Sequence, residues 1–515
     1  TLEMILDQPA LFRAFESYLT RHLAEENLVF LQRLWDLRER GEELRGEDVS
    51  GMLRDFLQES SPMEVNVTSR CRKEALERAG EIETWKTKDL EIFEEAEREI
   101  MNLVRGRVGE FNVELSRLLA EMCIRQGPKE GQRRVVIVGG GFTGLVVADA
   151  LDRMKERFHV TMIDTKEYFE YTPSTVKLLT QEERGGIEGI RTPHERYVQN
   201  GRVLVGRVDK VYRDHVCLGQ KRVGFDYLVL STGSAYTSRL KSSRISTSYR
   251  VKRFQLEREE LRRAQRVLVI GGGLVGVEVA AIVAEAYPEK DVVLVEANER
   301  LLKRTSVSVH TKVLARLEQL GVRVILGERI VDVGSRGEGE ETTGMSTSLT
   351  GESGQVYACD KMYVATGQKP LSGLVTAEAV DERGHIRVQG TLQLVGQTHL
   401  FAGGDVTDVR EEKTAYAAAC AGVCIARNIC RMEKGRSPLV QGQGLTRRQG
   451  AVPLAQTLYL GGQVGMLIVQ MKRSFMGTKY WKLKEMIESS FLSKSRGDGG
   501  SKYAEALWGK GPKML

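Results

Sequence analysis

Cysteine is scarce: seven in 515 residues, at Cys71, Cys123, Cys217, Cys359, Cys420, Cys424 and Cys430. The count is odd and no C-x-x-C or metal-type spacing occurs, which argues against a disulfide scaffold or a zinc site and for a reducing compartment. Cys420 and Cys424 share a helix face in AAACAGVC, either as buried small residues or as a redox pair. Long apolar runs are also missing. Residues 449–471 are uncharged, but they hold four Gln, four Gly and a Pro, and Gly461–Gly462 splits them, so two strands around a turn fit better than a membrane span. An excess of charge of one sign is confined to the end of the chain. Residues 471–515 carry ten Lys and Arg against four Asp and Glu, which accounts for the whole formal net charge of +6, so nucleic acid is not an expected partner. The sequence opens on Thr1, which leaves open a true N-terminus outside it, along with any signal peptide or myristoylation site there.

What is present is a repeat. RVVIVGGGFTG (134–144) and RVLVIGGGLVG (266–276) are β-branched strands that end in G-x-G-x-x-G and open an apolar helical pattern. A second apolar strand follows each and ends in an acid, Asp164 and Glu296, 25 residues after the first glycine in both copies. The first glycine (Gly139, Gly271) permits the turn, the second (Gly141, Gly273) lets backbone approach a pyrophosphate, and the third (Gly144, Gly276) lets helix pack on strand. The helix starts, Phe142 and Thr143 or Leu274 and Val275, offer amides to phosphate, and the acid receives ribose hydroxyls. Two such units imply two facing dinucleotides, FAD and a nicotinamide, because a hydride has to pass between them. Glu296 favours NADH by repelling a 2′-phosphate, while Arg300, Lys303 and Arg304 keep NADPH open.

A second repeat reinforces the first. DYLVLSTGS and DKMYVATGQ each run from an acid through an apolar strand to Thr-Gly, placing Thr232, Gly233, Thr366 and Gly367 against the dinucleotides. Glu278, two residues after the third glycine, either sits at the flavin–nicotinamide contact or is an early-helix acid complementing the dipole. No cysteine lies between Cys123 and Cys217, where two-dinucleotide disulfide reductases carry their redox pair, so electrons have to leave flavin for a diffusible acceptor. The polar stretch within 331–356 is expected to be an exposed hairpin tip or loop.

Residues 1–122 carry helical periodicity, as in Phe93, Ala96, Ile100 and Val104, with no catalytic constellation. Three segments here, LDQPALFRAFESYLTRHLAEENLVFL, MEVNVTSRCRKEALER and IFEEAEREIMNLVRGRVGEFNVEL, resemble the regulator of G-protein signalling (RGS) family. The resemblance implies a helical bundle that binds an active Gα subunit and stabilises its GTPase transition state. It assigns partner contacts to Glu26, Asn27 and Asn66. Gly106 and Glu110 stand where that family usually has an Asp and an Arg, which leaves GTPase activation open.

From about 132 to 485 the chain resembles the pyridine-nucleotide flavoprotein oxidoreductases, and within them the ferroptosis-suppressor and apoptosis-inducing-factor-like branch, related to type II NADH dehydrogenases. IDTKEYFEYTP, the EEKTAY turn and LYLGGQVGMLIVQMKRSF carry the likeness. It implies that HLFAGGDVTD closes the FAD site with Gly404 and Asp405, and that the following small-residue helix points its start at the flavin pyrimidine. Lys413 adds positive charge there or is solvated surface. The glutamines of the respiratory relatives' quinone-side helix are absent from Ala415, Tyr416, Ala417, Ala418 and Ala419. Relatives in this branch reduce quinones at membranes with NAD(P)H. KRSFMGTKYWKLKEMIESSFL is expected to be a helix, lying on anionic lipid or packed on its own protein.

The expected fold is therefore multidomain: an all-α RGS-like bundle (1–123), a linker (124–132) and an α/β double-Rossmann flavoprotein with a C-terminal α+β segment (445–515). FAD-binding parts at 133–245 and 391–444 flank a nicotinamide domain at 246–390. The expected activity is transfer from NADH through FAD to a quinone-type acceptor, on the cytoplasmic side and peripheral to a membrane. The rival expectation is a regulatory protein whose Rossmann part senses nucleotide while the helical part acts on Gα.

Overall fold

The structure is a computed structural model, which describes residues 15, 18–19, 25–40, 46–59, 61, 63–80, 87–124, 127–181, 186–235, 247–331, 347–367, 369–411, 413–441, 455–461, 464–469 and 473–496. The chain divides into two compact units, residues 1–126 with 246–256, and residues 127–245 with 257–515.

In the first unit, helices α1 (Glu25–Arg40), α2 (Gly46–Met52), α3 (Ser69–Gly80) and α4 (Glu94–Ile124) surround one apolar core. The stripe Phe93, Ala96, Ile100 and Val104 is buried in it, as are Phe15 and Leu19. Phe15, Tyr18 and Phe111 stack together, with Phe15 and Phe111 4.8 Å apart.

The second unit contains two parallel sheets. The first is ordered β9-β4-β1-β2-β3, from β1 (Arg133–Val138), β2 (Phe158–Asp164), β3 (Arg202–Val205), β4 (Tyr227–Leu230) and β9 (Leu400–Ala402). The other is ordered β7-β6-β5-β8, from β5 (Arg266–Ile270), β6 (Asp291–Glu296), β7 (Arg323–Leu326) and β8 (Lys361–Val364). Continuous apolar strands such as VVIV and VLVI suit a sheet buried on both faces. Helices α5 (Phe142–Asp152) and α8 (Leu274–Ala286) follow β1 and β5, and α9 (Val307–Gln319) joins β6 to β7. In each sheet the fingerprint strand lies between the strand that follows it and one from later in the chain, β2 and β4 beside β1 and β6 and β8 beside β5, so the end of β1 and of β5 is a switch point, where ligands bind in open α/β sheets. The acids opening the second repeat clamp this register: Asp226 receives Arg134 at 2.9 Å and Asp360 receives Arg266 at 2.6 Å.

Three boundaries differ from the sequence expectation. Leu374 and Ile386 pack in the core of the first sheet, so the chain is back in that layer before residue 391. The start of helix α7 (Thr247–Arg263), through Leu256, belongs to the first unit, because Leu256 packs against the helical core. Residues 473–477 are a strand, not the start of a helix. β10 (Ala455–Tyr459), β11 (Gly465–Val469) and β12 (Arg473–Gly477) form an antiparallel sheet, and Gly477, at φ +148°, ends it before helix α11 (Thr478–Arg496). The turn expected at Gly461 is present, at φ +70°. The expected polar tip falls largely at 332–346, outside the described residues, while Thr347–Thr350 and Val356–Cys359 pair as a hairpin.

Candidate functional site

The two fingerprints share one geometry. Gly139 and Gly271 sit at φ +100° and +108°, and a Cβ on either would strike the neighbouring strand end, Ser231 in one and Ala365 and Thr366 in the other. A Cβ on Gly144 or Gly276 would strike the carbonyl of the first glycine. Gly141 and Gly273 behave oppositely: a Cβ there meets no heavy atom within 4 Å. The protein's own packing therefore does not demand glycine at these two positions. They face open cradles at the starts of α5 and α8, which no side chain caps, and the cradles fit a pyrophosphate.

Each acid is locked by its own loop. Gly140 N donates to Asp164 Oδ2 at 2.7 Å, and Gly272 N donates to Glu296 Oε2 at 2.5 Å. Burial pushes the Asp164 carboxyl up, but the His194 ring 3.3 Å away, the charge of Lys166 and the Gly140 amide outweigh it and hold the pKa at about 2. A carboxylate acceptor thus ends β2 and β6 beside each cradle. Asn298 N reinforces Glu296 at 2.8 Å, and Lys303 Nζ reaches Asn298 Oδ1 at 2.7 Å.

The other residues expected on the FAD side gather at the same end of the first sheet. Gly233 and Gly404 have φ of +73° and +81°, and Ser234 Oγ donates to Asp405 Oδ2 at 2.8 Å. Thr232 Oγ1 is spent on Leu371 O at 2.6 Å. Thr143 Oγ1 donates to Ala418 O at 2.7 Å and so ties α5 to helix α10 (Ala415–Met432). Thr414 caps α10 by accepting from Ala417 N at 3.2 Å. Lys413 is half-buried rather than a solvated surface lysine: Nζ donates to Thr407 O at 2.8 Å and Val409 O at 3.0 Å, and burial lowers its pKa. Of the residues expected on the nicotinamide side, Gly367 has φ +68°, Thr366 and Gly367 are exposed, and Leu274 and Val275 are half-buried.

Glu278 is neither a simple dipole complement nor solvated. It is 6% exposed, it pairs with Lys484 Nζ of α11, and it accepts from Tyr459 N at 2.9 Å. Beside it, Lys177 of helix α6 (Thr175–Leu178) bonds Glu485 at 2.9 Å. Phe491 of α11 stacks with Phe169 and packs on Phe142 and Tyr171, at 5.1 to 5.4 Å. Sequence reasoning missed Lys177, Tyr459 and Lys484. A lysine inside the apolar run STVKLL is the one local signal. Cys420 and Cys424 are free, and burial raises both thiols, Cys420 to about 11, so they are neutral small residues rather than a reactive pair.

In the helical unit Asn66 is exposed between buried Val65 and Val67, whereas Asn27 is buried and its Nδ2 donates to Glu26 at 3.2 Å. Glu110 accepts from Tyr18 Oη at 2.8 Å and pairs with Arg107 at 3.0 Å, and Gly106 faces open space.

Comparison with known proteins decides the family. Residues 126–422 match the model of the pyridine nucleotide-disulphide oxidoreductases. The chain belongs to that family. Residues 1–108 match the regulator of G protein signaling domain, so the flavoprotein fold is joined to an N-terminal RGS domain. Apoptosis-inducing factor homolog B of Dictyostelium discoideum is 27% identical over 70% of this chain and 96% of its own length. Ferroptosis suppressor protein 1 of Homo sapiens is 27% identical over 60% of this chain and 83% of its own. Among solved structures, NDH2 from Plasmodium falciparum in complex with NADH has the same fold at TM-score 0.55 and 13% identity, covering 75% of this chain and 100% of that one. As a member of this family the protein is an oxidoreductase that uses FAD and NAD(P)H. Among the described residues no helix is long and apolar enough to cross a membrane.

Proposed function

We propose that the flavoprotein unit takes hydride from NADH and delivers two electrons to a quinone-type acceptor. Bound FAD supplies the chemistry of accepting a hydride and passing its electrons onward. The chain's part is positional. The open cradles at Gly141 and Gly273 receive the two pyrophosphates, Asp164 and Glu296 the riboses, and Thr232, Gly233, Thr366 and Gly367 the sides of the dinucleotides. Asp405 binds the ribityl chain, and the α10 N-terminus with Lys413 stabilises negative charge at the flavin pyrimidine. Glu278, on α8 beyond Gly276, marks the nicotinamide end. The observation that carries the reading is the pair of matched cradles in a chain with no cysteine from 124 to 216, so the acceptor has to be diffusible. The ferroptosis-suppressor relatives favour the same activity.

The test is anaerobic mixing of purified flavoprotein with NADH, then with a soluble quinone. Bleaching of oxidised flavin and its recovery on adding quinone are the expected results. Flavin that neither NADH nor NADPH reduces overturns the reading in favour of a nucleotide sensor. Glu296 makes NADH the better donor, so Glu296→Ala is expected to narrow the gap to NADPH.

The RGS domain is assigned to Gα binding through exposed Asn66 and the Glu26–Asn27 pair. Single-turnover GTP hydrolysis by candidate Gα subunits tests it, and neither acceleration nor binding to the GDP–aluminium fluoride state would sink it. The outer face of α11 with exposed Lys479 and Lys482, beside Phe475 and Met476 of β12, is assigned to an anionic membrane surface on the cytoplasmic side.

A further inference from the structure

The two fingerprints differ beneath their middle glycine. A Cβ on Gly272 would strike the Leu301 side chain and Glu296, whereas a Cβ on Gly140 would strike the His194 ring and Asp164. An imidazole thus lies under the first fingerprint where the second has an aliphatic side chain. His194 is fully buried, and its place is built by the fold. The short antiparallel strands Tyr168–Glu170 and Arg191–Pro193 carry it to the end of β2, and its amide donates to Glu167 O at 3.0 Å. On one side of the ring, Nδ1 bonds the Tyr197 hydroxyl, which also lies 3.6 Å from Met162 Sδ of β2. On the other, Nε2 makes no aligned hydrogen bond and stands 3.3 Å from Asp164 Oδ2.

Two protonation states satisfy this geometry. In the neutral ring Tyr197 donates to Nδ1 and the proton sits on Nε2. In the cation both nitrogens carry protons and Tyr197 donates to the Met162 sulfur. The remaining tautomer, with Nε2 bare, would set a lone pair against a carboxylate. Burial keeps the Tyr197 phenol protonated, so it is a donor in both allowed states. In either, an N–H faces Asp164, whose side chain is 11% exposed and which burial by itself would push towards its neutral form. Glu296 is served by the Gly272 and Asn298 amides instead.

We propose that His194 is a positioning residue of the FAD site: it keeps Asp164 ionised and aimed at the adenosine ribose, and Tyr197 fixes the imidazole tautomer that does so. This rests on the assignment of Asp164 to the FAD ribose made above. The contrast between the copies follows their use. The copy that holds a resident cofactor has an acid backed by a buried ring, and the copy whose nicotinamide leaves at every turnover has Leu301 at that place.

The test follows FAD release from the full FAD-loaded chain after dilution, read as the rise in flavin fluorescence. His194→Gln keeps an N–H near the Nε2 position, and His194→Asn keeps one only near Nδ1. The Asn variant is expected to release FAD about tenfold faster than wild type, the effect of one lost bond to a charged group, and the Gln variant to stay within about threefold of wild type. In an Asp164→Asn background the His194→Asn step is expected to add less than about twofold. Equal release by the Gln and Asn variants, or an undiminished effect of His194→Asn in the Asp164→Asn background, overturns the role, because lost packing alone would produce either. Should Asp164→Asn by itself leave release unchanged, the ribose assignment fails and takes this proposal with it. If His194→Asn does not fold, Tyr197→Phe carries the comparison, with release roughly threefold faster expected and an unchanged rate overturning the proposal.

Discussion

Removing one charge from the Glu278–Lys484 pair costs more than the pair contributes, because the survivor is left uncompensated in a buried place. Both side chains are 8% exposed. Lys484→Met is therefore expected to destabilise the protein by about 3 kcal/mol, and the double variant Glu278→Gln/Lys484→Met to recover more than half of that. Urea unfolding of the three proteins measures the difference. Asp164 sets a pH dependence. Its pKa is lowered from 3.8 unfolded to about 2 folded, so its contribution is present above pH 3.8 and is lost as pH falls through 2. Asp164→Asn is expected to remove about 2 kcal/mol at neutral pH and to flatten the acid limb of the stability profile between those values. At this scale the sequence is legible where backbone sterics dictate a residue type. Gly139, Gly144, Gly271 and Gly276 are demanded by collisions within a few residues or with a repeated strand end. Lys177, Tyr459 and Lys484 are not legible, since their partners lie 181 to 308 positions away and leave no spacing to read.

The strand–glycine–helix element separates folding from binding within a single motif. A methyl at Gly144 would hit the Gly139 carbonyl, whereas a methyl at Gly141 would enter the cradle. Gly144→Ala is accordingly expected to lower the melting temperature by several degrees. Gly141→Ala is expected to fold normally and purify colourless. In the second copy Gly273→Ala is expected to keep its flavin yet lose bleaching by NADH. Absorbance and thermal melts on the three variants check this. The tail shows the limit of element-level reading. KRSF and KYWKLK have similar composition, and the break between them is set by Gly477 and by pairing of β12 with β11, which is a tertiary choice. The same pairing turns Lys484, Glu488, Phe491 and Leu492 inward, so the packed reading of the helix holds for that face.

At the scale of the molecule, one chain joins an RGS domain to a redox enzyme, and the outer face of the tail is the part left for a surface. Phe475, Met476 and Met486 are 47%, 42% and 40% exposed, beside exposed Lys479 and Lys482. Lys479→Glu/Lys482→Glu is expected to weaken binding to anionic vesicles by roughly fivefold or more per lysine at low salt, with neutral vesicles as the control. Co-sedimentation measures it, and equal binding of both proteins to anionic vesicles would remove the membrane from the account. For the RGS domain, Gly106→Asp/Glu110→Arg restores the family's usual residues, and the open space at Gly106 accepts the side chain. Faster GTP hydrolysis by a responsive Gα than with the unaltered chain is the expected outcome.

Lys484 and Glu485 are neighbours in sequence and so point about 100° apart around α11. One grips Glu278 of α8 and the other grips Lys177 of α6. A helix held at two bearings can neither roll nor slide without losing one of them, so its release is a single event rather than a graded fraying. Amides from 484 to 492 should therefore exchange with deuterium as one kinetic class, and a single substitution at either grip should speed all of them together.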